Sequence, residues 1–216
     1  MFDFFSRAFD FLSKGGFLMI FILLCSVVAI VLFIERWFAL RNEARAMRRL
    51  DPSLRESISE GQYERALTQC DANPCALTGI AGAAVRHRTL SREALQEAVQ
   101  DEAKRQYAVL QRRIPAVGII ANISPLLGLL GTVTGMIQVF SNLADEYAAG
   151  AHANPGMLAG GIWEALLTTA AGLCVAIPAF LLHRILCGKL DTLWLDLEAA
   201  ATAIVDRLAP PQPKSP

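Results

Sequence analysis

Three apolar runs, 17–34, 114–140 and 156–182, are each long enough to cross a bilayer, and they leave the chain few folds to choose from. A hydrocarbon core about 30 Å thick takes roughly 20 helical residues. Inside it every backbone N–H and C=O must be paired, which a helix achieves within its own segment and a loop does not. The segments between the runs show helical periodicity and nothing that suggests strands. The expected fold is an all-α membrane protein with three transmembrane helices, at 15–35, 114–140 and 156–183.

Charge is confined to the segments between the runs, and the formal net charge is zero. Overall charge therefore points to no nucleic-acid partner. Arg36, Arg41, Arg45, Arg48 and Arg49 follow the first run, Lys104, Arg105, Arg112 and Arg113 precede the second, and Arg184 and Lys189 follow the third. The 141–155 connection has no Lys or Arg. By the positive-inside rule that connection and the N-terminus face outward, while 36–113 and 184–209 are cytoplasmic. The spacing of Phe2, Phe5, Phe9 and Leu12 suits a helix over 1–14 lying in the outer interface, with a frayed terminus as the alternative. A cleaved signal peptide is the competing reading of the first run. It is set aside because the run is too long and Glu35, Arg36 and Arg41 precede the only cleavage-like Ala44-Arg45-Ala46.

The cytoplasmic region 36–113 reads as helices. Leu54 to Cys70 carries a broken apolar pattern ended by Asp71-Ala72-Asn73-Pro74. From Ser91, a plausible N-cap, a helix runs through Leu95, Val99, Ala103 and Leu110 with no clear stop before the second span, so one long helix is expected there. Leu190, Leu193, Trp194, Leu197, Ile204 and Leu208 form an apolar stripe that extends the third span into the cytoplasm. Pro210, Pro211 and Pro213 end it, leaving a disordered tail at 210–216. These stripes are expected to be too large for one subunit to bury. Cys70 and Cys75 lie in this region and are expected to be reduced. Their spacing matches a zinc half-site only loosely, so a loop between two helices is the better reading and no metal or cofactor is expected.

Glu164 is the only charged residue in the third run. A carboxylate at membrane depth costs about 2.5–3.5 kcal/mol even on insertion scales, which makes it a functional candidate by default. No cationic side chain lies in any of the three runs, so an ion pair inside the membrane portion of one chain is excluded. On the second run, Gly131 and Gly135 share a face at i, i+4, where small residues let helices approach closely. Gly128 belongs to the same motif, and Gly161 and Gly172 fall on the Glu164 side of the third. Such glycine-lined faces, with the cytoplasmic stripes, predict a homo-oligomer. Counting inward from Phe140 and Gly156 puts Thr132 and Glu164 level at about 12 Å depth. Thr169 lies deeper and is rotated about 140° from Glu164.

Gly128-Leu129-Leu130-Gly131-Thr132-Val133-Thr134-Gly135-Met136 on one span is followed on the next by Glu164-Ala165-Leu166, Thr169-Ala170, Gly172-Leu173 and Ala176-Ile177-Pro178-Ala179. Together these motifs resemble the ExbB/TolQ proton-channel family (MotA/TolQ/ExbB), with the flagellar stator subunits more distant. The resemblance covers nearly the whole chain and is strongest over 114–179. It implies a Gram-negative inner-membrane complex in which a homo-pentamer of such chains, surrounded by lipid, encloses an ExbD/TolR-like partner with one aspartate-bearing span. Proton flow through the complex would energise a TonB- or TolA-like protein. The family's polar positions map onto Thr132, Glu164 and Thr169, with Thr134 and Thr168 as weaker pathway candidates. This chain departs in having Thr134 where several relatives carry Trp, and Trp163 directly before the glutamate.

Other classes fit less well. One ionisable group and no internal repeat make a poor substrate site for a secondary transporter. The spans carry no His-Glu-x-x-His, no paired aspartate and no Ser with a membrane base, which argues against an enzyme. A non-conducting membrane scaffold for a helical partner is the alternative that competes.

Overall fold

The computed structural model describes residues 16–148 and 155–209 and is helical throughout. The helices are α1 (Gly16–Ser59), α2 (Tyr63–Ala72), α3 (Ala76–Arg86), α4 (Arg92–Gln111), α5 (Ile114–Ala148) and α6 (Pro155–Leu208). Among the described residues there is no strand. The interfacial segment expected at 1–14, the 149–154 part of the outer connection and the 210–216 tail lie outside the described residues. Three helices, α1, α5 and α6, are long and apolar enough to cross a membrane, as the three runs predict.

Three expectations need correction. The helix from Ser91 does not run into the second span. It stops at Gln111, Arg113 adopts φ 71°, and a new helix starts at Ile114. The cause is Pro115, whose missing N–H costs nothing in a first turn but removes a bond from a helix interior. The break is tied down by Glu35, which pairs with Arg36 at 2.6 Å and with Arg113, while Arg36 donates to the Arg112 carbonyl at 3.3 Å. Consequently the first and third membrane-length helices continue past their apolar runs, and the second does not begin before its own. At its other end α5 carries on through 141–148, a stretch expected to be loop.

The chain forms two compact units. The first contains 1–34 and 114–184, hence the apolar part of α1, all of α5 and the first part of α6. Ala29, Ala121 and Ala179, one from each helix, are buried together with Ile120 against them. Alanines at the centre let three backbones converge where larger side chains would hold them apart. The outward side of α1 is large and apolar, with Phe17, Ile20, Leu24, Val27 and Val31 all more than half exposed, a surface suited to lipid.

The second unit contains 35–113 and 185–216. Here the α6 stripe is buried within the chain: Leu186, Leu190, Leu193, Leu197 and Ile204 are at most 3% exposed. Leu54, Leu77, Ile80, Val85 and Leu95 are fully buried in the same unit. Trp194 packs edge to face on Tyr107 with centroids 5.0 Å apart, and Arg92 reaches the Asp206 carboxylate and the Ala209 carbonyl. The expectation that one subunit could not cover these stripes is therefore wrong, because α1 and α4 pack against α6 within the chain and the broken periodicity of 36–113 concealed their apolar faces. Cys70 and Cys75 flank the loop between α2 and α3 as anticipated; Cys75 is the N-cap of α3, and Thr78 closes the capping box.

Candidate functional site

The pairing of α5 and α6 sets the geometry around Glu164. Along this seam a methyl group built on Gly128 would lie 2.9 Å from the Thr169 Cα, and one on Gly135 would lie 2.9 Å from the Ala165 Cβ. One on Gly172 would lie 2.6 Å from the Ser124 carbonyl oxygen, while one on Gly131 would strike Thr168 and one on Gly161 would strike Val139. Only hydrogen fits at these five positions. All five glycines singled out from the sequence are thus used within one chain, and they give no argument for contact between subunits.

These contacts fix the antiparallel register. Gly131 faces Thr168 and Gly135 faces Ala165, so Thr132 stands opposite the turn of Thr168, and Glu164 stands opposite Gly135 and Met136. Thr132 and Glu164 are therefore about one turn, roughly 5–6 Å, apart along the axis and not level. The count from Phe140 failed because α5 does not end there.

The hydroxyls have different partners. Thr169 crosses the seam, donating to the Gly128 carbonyl at 2.8 Å. The close approach allowed by Gly128 makes that bond possible, and Thr169 keeps lone pairs with which to accept. Thr168 is 3% exposed and donates to the Ala165 carbonyl of its own helix at 2.7 Å. Thr132, half-buried, bonds back to Leu129 at 2.7 Å, and exposed Thr134 to Leu130 at 2.9 Å. Such back-bonds satisfy the hydroxyl inside the membrane and leave its oxygen available to a water or a partner.

Glu164 is exposed and enters none of the ion pairs among the described residues. It lines an open groove of about 670 Å³ between α5 and α6, to which Phe17 and Leu18 of α1 also contribute. Thr134, Gln138, Asn142 and Glu146 line the same groove from α5, and Thr168 from α6; Thr132 and Thr169 do not. Asn142 and Glu146 fall in the 141–148 stretch expected to be loop, and it is the continuation of α5 that brings them to the groove. Their signal was the continuation of the i, i+4 spacing from Thr134 and Gln138. No group of three or more His, Cys, Asp or Glu among the described residues is placed to hold a metal ion.

Residues 68–199, more than half of the chain, match the profile of the MotA/TolQ/ExbB proton channel family. The chain belongs to that family. An ExbB-like biopolymer transport protein of Synechocystis is 35% identical over 181 residues, covering 83% of this chain and 70% of the relative. The biopolymer transport protein ExbB of Neisseria meningitidis serogroup A is 28% identical over 200 residues, 86% of this chain and 88% of its own length. The Tol-Pal system protein TolQ of Haemophilus influenzae is 36% identical over 92 residues, 43% and 39% of the two chains. The family match takes in all of α5 and most of α6, hence the whole seam and Glu164. It is a family of energy-transducing channels, not of enzymes.

Proposed function

We propose that this chain is the wall-forming subunit of a proton-driven motor in the inner membrane of a Gram-negative bacterium. It spans the membrane three times, N-terminus out and C-terminus in, and assembles as a homo-pentamer around an ExbD/TolR-like partner. The partner contributes one span with a titratable carboxyl, and proton passage powers a TonB- or TolA-like protein. One observation carries this reading: an exposed carboxylate in an apolar run, with no cation in any of the three runs, opens into a groove that also holds Thr134, Gln138 and Asn142. Burying such a group without a partner costs several kcal/mol, so it must face water or another chain.

In this mechanism Glu164 holds or passes the proton at its carboxylate, and the hydroxyls of Thr132, about one turn away, and Thr169, five residues deeper, accept hydrogen bonds from the partner's carboxyl or from water. Thr168 and Thr134 back them. The membrane potential supplies about 2.3 kcal/mol per charge per 100 mV, enough to bias steps between equivalent subunit positions.

The test compares Glu164→Gln, which keeps shape and hydrogen bonding, with Glu164→Ala, which also opens space. Both are expected to assemble with the partner, and both to lose proton-driven work in cells and proton flux after a pH jump in proteoliposomes. Full activity of the Gln variant removes Glu164 from the mechanism. Wild-type complex that is intact but never conducts favours the scaffold reading instead.

A further inference from the structure

We infer that the proton reaches Glu164 from the outer face through a water-filled furrow within each subunit, along Glu146, Asn142, Gln138 and Thr134. This rests on the proton-channel reading and on its outward placement of the Ala148 end of α5.

The four side chains follow one another at intervals of four residues, about 6 Å of rise each. All four line the groove that holds Glu164, and Thr134, Gln138 and Asn142 are exposed in it. The file runs from the end of the helix to the level of the carboxylate, which sits opposite Gly135 and Met136 between the turns of Thr134 and Gln138. Thr134 and Gln138 lie inside the apolar run, where an amide facing lipid without a partner costs about 2–7 kcal/mol, and Asn142 and Glu146 continue the row beyond it. Glu146 carries a charge at the mouth, where a carboxylate remains hydrated and raises the local proton concentration. Asn and Gln offer both donors and acceptors, so water can bridge from one turn to the next and conduct in either proton orientation. Across from α5 the bank is apolar at its outer end, formed by Met157 and Leu158 of α6 with Phe17 and Leu18 of α1, which leaves the polar row of α5 as the side that water wets.

Single cysteines at Gln138 and Asn142 test the furrow in the assembled complex, with the five native cysteines replaced. Controls are cysteines at Ile137 and Phe140, exposed apolar positions on other faces of α5. Thiosulfonates react with the thiolate, which forms only in contact with water. A membrane-impermeant charged thiosulfonate added from the outer side is expected to modify 138 and 142 and to leave 137 and 140 intact. Gln138→Leu and Asn142→Leu should cut proton flux about tenfold or more, the effect of roughly 1.4 kcal/mol on the barrier, whereas Asn142→Ser, which keeps a donor and an acceptor, should conduct. Reactivity at 138 and 142 no greater than at 137 and 140, or leucine variants that conduct at the wild-type rate, would overturn the inference. The labelling needs no proton flux. A wild-type complex that does not conduct therefore counts against the channel reading, while the labelling pattern still upholds or overturns the furrow.

Discussion

One methyl group at Gly172 probes the seam on which the site is built. A Cβ there falls 2.6 Å from the Ser124 carbonyl oxygen and 3.2 Å from the Gly128 Cα, the first roughly 0.8–1 Å inside ordinary contact. Both atoms belong to the α5 backbone, so no side-chain rotation relieves the clash and the helices must part. Overpacking of this kind costs about 1–3 kcal/mol. Alanine also gains about 0.8–1 kcal/mol of helix propensity over glycine, and the comparison must cancel that. Gly160 provides the control, since it lies in the same helix and unit with nothing within 4 Å of its built Cβ. Gly160→Ala keeps the propensity gain alone, so the two variants should differ by the overpacking cost, roughly 2–12 °C in Tm for a chain of this size. Thermal melts followed by tryptophan fluorescence in one detergent, with size exclusion after heating, measure the difference. A Gly172→Ala protein that melts at or above Gly160→Ala refutes the close backbone approach and the register derived from it.

Further outcomes can be checked independently. Thr169→Val removes the bond to Gly128 and should lower stability by about 0.6–1.7 kcal/mol, whereas Thr132→Val should leave melting nearly unchanged; both should lower proton flux, and normal flux in both returns these threonines to packing. Burial pushes the Cys70 thiol up to about 11 from an ordinary value near 9, with Asp71 adding to the shift. Because the folded-state value is the higher one, its contribution to stability is intact below about pH 8.5 and is lost as pH rises toward 11. With the other four cysteines replaced, iodoacetamide labelling of native Cys70 should stay slow through pH 9 and rise only as pH nears 11; labelling at pH 8 as fast as for an unfolded control contradicts the burial. Native mass spectrometry in mild detergent should give a pentamer, and a stable monomer across detergents would sink the wall-subunit proposal.

The membrane class and the number of apolar helices were legible in the sequence because each follows from local composition, and the same composition singles out Glu164 as the candidate. Eighteen or more uncharged apolar residues have one stable solution in lipid, and a carboxylate among them stands out wherever the helices go. The glycines were legible too, but only as small positions on a face. Which face met which helix was not, since lipid is as apolar as leucine and hydropathy cannot tell a lipid-facing stripe from a buried one. Only the tertiary structure decided that Gly128, Gly131, Gly135, Gly161 and Gly172 close a seam inside one chain. It also decided that Leu190, Leu193, Leu197 and Ile204 find their cover without a second subunit. Periodicity fixes rotation about a helix axis but not translation along it. The one-turn offset between Thr132 and Glu164, and the meeting of Glu164 with the file from Thr134 to Glu146, came from packing two backbones at contact distance.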